Sequence, residues 1–119
     1  MNTKICKAVL LTLVVSAALT GCKTTEPLYH YGDYQQTVYS YFKGNETSAS
    51  EQIGVLEQAI EMAGTKGKAI APGVHAHLGM LYFESGSPEQ GSMHFEQEKA
   101  LFPESTVYID FLLKSARGE

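Results

Sequence analysis

The hydrophobic pattern divides the chain into one short apolar run and a series of amphipathic blocks. Two lysines, Lys4 and Lys7, precede an uncharged stretch from Ala8 to Ala18, AVLLTLVVSAA. That run is shorter than the ~20 apolar residues of a membrane-spanning helix and has the layout of a secretory signal. Beyond it, no sustained alternation of apolar and polar residues suggests strands, and apolar positions recur with helical spacing. The first block runs from about Asp33 to Lys43, with Asp33 as N-cap, Gly44-Asn45 as stop, and Tyr34, Val38, Tyr41 and Phe42 on one face. The second opens on Ser48-Ala49-Ser50-Glu51, which fits a capping box. It buries Ile53, Leu56, Ile60 and Ala63 and ends near Gly64–Gly67. A third spans Pro72 to Ser85. A fourth starts at Ser87-Pro88, with Gln90 placed to complete a box, and continues to about Leu101 before Pro103. The last runs from about Ser105 to Ala116 and brings Tyr108, Phe111, Leu112 and Leu113 to one side. The expected fold is all-α: about five helices with short loops, after an N-terminal signal.

The apolar run ends in Leu19-Thr20-Gly21-Cys22. These residues resemble the lipobox of bacterial lipoproteins, in which the cysteine is acylated and the chain is cut just before it. The resemblance implies a cleaved signal over residues 1–21, lipidation at Cys22, a tether over 22–28 and a helical domain over 29–119. Acyl chains on Cys22 would attach the protein stably to a membrane. Lys23, where inner-membrane lipoproteins usually carry Asp, implies the outer membrane with the domain facing the periplasm of a Gram-negative cell.

Composition sharpens this division. The chain carries 13 acidic and 9 basic side chains, a formal −4. Without Lys4 and Lys7, the residues from Cys22 onward hold 13 acidic against 7 basic groups, a formal −6. An acidic domain of this kind argues against nucleic-acid binding, which needs a basic face. Of the two cysteines, Cys6 leaves with the signal and Cys22 carries lipid, so no thiol remains for a disulfide or for redox chemistry.

The third and fourth blocks read His75-x-x-Leu78-Gly79-x-x-Tyr82, then Gly91-x-x-x-Phe95, then Pro103. Order and spacing resemble the tetratricopeptide repeat, in which two antiparallel helices meet at small residues. One repeat would run from about Pro72 to Ser105, flanked by helices in place of neighbouring copies. His75, Gly91 and Glu98 depart from the pattern, Glu98 where a small residue usually follows the aromatic. A second resemblance covers nearly all of Leu28 to Lys114. It is carried by Leu28-Tyr29-x-Tyr31-Gly32-x-Tyr34, by Pro72-Gly73-Val74-His75-Ala76-His77-Leu78-Gly79, and by Glu98-Lys99-Ala100-Leu101-Phe102-Pro103-Glu104-Ser105. These stretches are similar to the lipoprotein family known as domain of unknown function 4810. The resemblance implies a periplasm-facing lipoprotein in a multi-lipoprotein assembly, and it brings no catalytic residues.

The chemistry-bearing side chains form no obvious site. His75 and His77 are two residues apart, about 200° around a helix, and cannot share a metal with His94 on one face. His75 is expected at a helix contact and His77 outward. Five tyrosines between Tyr29 and Tyr41 could make a stacking platform, or Tyr34 and Tyr41 could be core while Tyr29 and Tyr31 staple the helix entrance. Glu57, Glu61, Glu96 and Glu98 read as solvated surface. With no nucleophile elbow and no phosphate loop, the expectation is a non-enzyme without metal or cofactor. The best binding candidates are Gly73, Ala76, Met80 and Phe83. They form one stripe on the helix that, in tetratricopeptide proteins, lines a peptide groove. The competing reading buries that stripe under the N-terminal helices. The leading functional expectation is a protein-binding module in an envelope lipoprotein complex, with self-association left open. The alternative is a regulator of a cell-envelope enzyme such as a peptidoglycan synthase.

Overall fold

The computed structural model describes residues 2–18, 25–44 and 47–119; Cys22 lies outside them. Helix α1 (Thr3–Ala18) turns Ile5, Val9, Leu10 and Leu11 to solvent. No helix among the described residues is long and apolar enough to cross a membrane. The remaining elements are β1 (Tyr29–His30), α2 (Tyr34–Lys43), α3 (Ala49–Thr65), β2 (Ala69–Ile70), α4 (Val74–Glu84), α5 (Pro88–Leu101), a 3-10 turn (Pro103–Ser105) and α6 (Thr106–Arg117). The fold is all-α, as the periodicity predicts.

Local chemistry sets most boundaries. Ser48 and Glu51 form the reciprocal capping box: the Ser48 hydroxyl accepts the Glu51 N–H at 3.2 Å, and the Glu51 carboxylate accepts the Ser48 N–H at 2.9 Å. Gly44 closes α2 in the left-handed conformation at φ 63°. The other expected caps are not made. Asp33 and Ser87 give no side-chain cap, and α5 begins on Pro88 alone. Ser48→Ala should therefore cost about 1 kcal/mol of stability in urea unfolding, whereas Ser87→Ala should stay within about 0.5 kcal/mol.

α4 is the hub. Val74, Leu78 and Leu81 pack with Leu56, Ala59 and Ala63 of α3 and with Ile70 and Ala71. Its opposite side puts Ala76 in a second cluster with Phe95 of α5 and Ile109 and Leu113 of α6. A helix packed on both sides buries nearly every position from Val74 to Leu81, so amphipathic spacing says little about it. Across the α4–α5 hairpin the glycines act reciprocally. A methyl on Gly79 would lie 2.6 Å from the Phe95 ring and 3.0 Å from the Gly91 carbonyl; one on Gly91 would lie 2.5 Å from Phe83 and 2.9 Å from the Gly79 carbonyl.

Several expected faces are corrected. α2 buries Thr37 and leaves Phe42 at 77% exposure. α6 buries Ile109 and Leu113, while Tyr108 and Phe111 face solvent. The segment expected to staple the helix entrance instead contributes a two-residue parallel pairing, Tyr29 with Ala69 and His30 with Ile70. That pairing fastens the start of the domain to the loop ahead of α4, assisted by the Ala71 N–H to the His30 carbonyl at 3.1 Å.

Candidate functional site

α4 does not start at Pro72. It starts after Gly73, whose φ of +92° is disfavoured for side chains other than glycine, and a Cβ there would collide with the Tyr34 hydroxyl. No residue on α4 caps its first amides. Glu98, reaching across from α5, does so: its Oε1 accepts the Gly73 N–H at 2.7 Å and its Oε2 accepts the Ala76 N–H at 3.2 Å. A carboxylate there also lies at the positive end of the helix dipole. Glu98 is therefore 2% exposed and not a solvated surface residue. Burial raises its pKa, and the backbone hydrogen bonds pull it back down. The departure from the repeat pattern at this position thus has a structural role, in setting the N-terminus of α4.

The histidines are also corrected. His77, expected outward, is 6% exposed and lies between the ring edges of Tyr34 and Tyr41, with centroids at 6.3 and 5.0 Å. Its Nε2 is buried without a partner. His75, at a helix contact as expected, places Nδ1 at 3.0 Å from Nδ1 of His94, and the His94 ring also stacks with Tyr82 at 5.4 Å. One of the two Nδ1 atoms must carry a proton and the other must be bare, so the pair holds at most one Nδ1 proton. No cluster of three metal-ligating side chains is found among the described residues.

Burial depresses the pKa of all three histidines, His75 to about 4, with the neighbouring His94 charge adding to the effect there. An unfolded chain takes up protons near pH 6.5, which the folded one resists. Their stabilising contribution is complete above pH 6.5 and is lost as the pH falls toward 4. Glu98 acts oppositely: with its pKa raised, its contribution is present at low pH and is lost as pH rises through the folded value. Three groups against one predict a urea midpoint that declines steadily between pH 7 and pH 5. A midpoint flat or rising over that interval would contradict the assignment.

The stripe Gly73, Ala76, Met80 and Phe83 lies along a groove of α4, with α2 on one side and α6 on the other. It is not covered by the N-terminal helices, nor is it fully open. Gly73 is half-buried under Tyr34, and buried Ala76 forms floor; Met80 and Phe83 are half-buried. Two recesses occupy the groove, and Met80 lines both. The first, of about 150 Å³, lies against Ala76 and His77 between Val38 and Phe42 of α2 and Tyr108 of α6. The second, of about 380 Å³, lies against Phe83 and Glu84, with Phe95, Leu112 and Ser115. Phe42 and Tyr108, at 77% and 56% exposure, flank the first recess. Exposed aromatics beside a recess are typical of a recognition surface.

Polar groups at the groove are few. The Tyr41 hydroxyl donates to the Glu84 Oε1, which pushes the tyrosine pKa up to about 12. Burial and the nearby Glu98 raise that of Tyr34. The tyrosines form no stacking platform: Tyr29 meets Phe102 edge-on at 6.0 Å, Tyr34 and Tyr41 enclose His77, and exposed Tyr39 lies beneath Lys43. Sequence reasoning missed Phe42 and Tyr108 as groove walls and His77 as a lining residue. One signal was present: VHAHLGMLYF carries no charge before Glu84, the composition of a helix enclosed on most sides.

No curated protein and no solved structure matches this chain. The family model described as "Domain of unknown function (DUF4810)" matches residues 28–112, which span β1 through most of α6 and include every groove residue named above except Ser115. The chain belongs to the DUF4810 family.

Proposed function

We propose that this protein is a lipoprotein of the outer membrane, acylated at Cys22 and facing the periplasm, whose helical domain binds a protein partner within an envelope assembly. The observation that carries the binding reading is the groove along α4, with its two recesses and the exposed Phe42 and Tyr108 beside the first. In this reading α4 and α5 act as a single tetratricopeptide-like unit. Support comes from the reciprocal approach at Gly79 and Gly91 and from buried Leu78 and Phe95. Helices α2 and α6 stand where neighbouring repeats would, and the channel between them is the partner's seat. The anchoring reading rests on Leu19-Thr20-Gly21-Cys22 after an uncharged run. A lipid anchor adds to affinity by confining the domain near other membrane-bound partners.

The two parts are tested separately. Cells expressing the full chain should incorporate labelled palmitate into it, and Cys22→Ala should abolish labelling and leave the longer precursor. Unchanged size and labelling in that variant would remove the anchor. Crosslinking in intact membranes, followed by purification, should recover one partner at constant stoichiometry. Repeated recovery of the chain alone would remove the binding role.

A further inference from the structure

We propose that the occupant of the α4 groove is a peptide segment carrying two apolar side chains about 10 Å apart and a Lys or Arg beside the second. This rests on the groove being the partner-binding face and specifies the chemistry it selects.

The spacing follows from the helix. On α4, Ala76 and His77 line the first recess, Phe83 and Glu84 line the second, and Met80 lines both. Seven residues at 1.5 Å each separate the two pairs by about 10 Å along the helix axis. Two side chains at that distance, entering either side of an adaptable methionine, fill both recesses along one line.

The charge requirement comes from the groove's own polar groups. Glu84 is the charged side chain on the wall of the second recess. One of its oxygens accepts the Tyr41 hydroxyl, and none of the ion pairs among the described residues involves it. The residues from Cys22 onward are acidic by six charges, which favours a basic partner at long range as well. The groove therefore combines two mainly apolar recesses with a carboxylate on the wall of the second.

The test is a selection of random displayed peptides of 12 residues against the full-length protein in detergent micelles. Enriched sequences should share two large apolar residues, at i and i+7 if helical or at i and i+3 if in a polyproline II conformation, with Lys or Arg next to the second. Affinity of a selected peptide should fall about tenfold with Glu84→Lys, an exposed position whose change leaves the helical fold intact by circular dichroism. Replacing the peptide's basic residue with Glu should restore binding to that variant. Met80→Ala should weaken both. An acidic or uncharged consensus, no enrichment, or affinity indifferent to Glu84→Lys would overturn the inference. If crosslinking recovers a partner through the groove while no basic, two-anchor consensus emerges, this inference fails and the binding role stands. If both experiments are negative, both fail.

Discussion

Glu98→Ala should lower the stability of this domain by about 3 kcal/mol, a loss of roughly 15 °C in melting temperature for a chain of this size. The carboxylate accepts two N–H groups at the start of α4, and both lie where water does not replace it: Ala76 is buried and Gly73 is half-buried under Tyr34. Removing it leaves two amides unpaired, at about 1–3 kcal/mol each. A small side chain also leaves a void at a position now 2% exposed. Glu98→Gln separates these effects. It keeps one acceptor oxygen and removes the charge whose burial raises the carboxyl pKa, but it turns an NH2 donor toward the other amide. Its loss should be about half that of alanine, and urea unfolding of the two variants checks the ordering. Equal stability of Glu98→Ala and the parent would mean that α4 is started by something else.

Phe95→Ala should have an effect at least as large, about 3–5 kcal/mol. The ring is 1% exposed, stacks on Phe83 at 5.5 Å and fills the space that Gly79 leaves open. It also belongs to the cluster that joins α6 to α4 and lines the larger recess. Its removal should therefore both destabilise the domain and loosen the wall of the groove. The paired change gives the sharper reading. Gly79→Ala alone forces a methyl to 2.6 Å from the Phe95 ring. In a Phe95→Ala background that collision is gone, so the cost of Gly79→Ala should shrink, and a double-mutant cycle measures the difference. Additivity would show that the glycine and the ring do not share that space.

The parts of the fold that were legible in the sequence are those set by neighbours in the chain. The Ser48–Glu51 box, the Gly44 stop and the Pro88 start each depend on atoms within four residues, and each is where local chemistry puts it. What was not legible depends on distant atoms. Glu98 caps amides 22 and 25 residues away, and the β1–β2 pairing joins positions 40 residues apart. Helix faces failed for a different reason. From Val107 to Leu113 only Asp110 is not apolar, so spacing alone could not choose between a face on Tyr108 and Phe111 and the observed one on Ile109 and Leu113. Gly73, which precedes α4, and Ala76, Met80 and Phe83 on it line the two recesses. That Phe42 and Tyr108 form a wall of the first was not legible, because they reach it only through packing of α2 and α6.

The most direct test of the groove as the binding face is a photo-crosslinking amino acid placed at single positions of the full-length protein in its own cells. Phe42 and Tyr108 report on the groove; Met93 and Leu101, exposed apolar residues of α5 that line neither recess, serve as controls. Both groove positions should give a crosslink to the same protein, and the controls should give none. Crosslinks from Met93 or Leu101 with silence at Phe42 and Tyr108 would contradict the account and move the binding face to the other side of the hairpin.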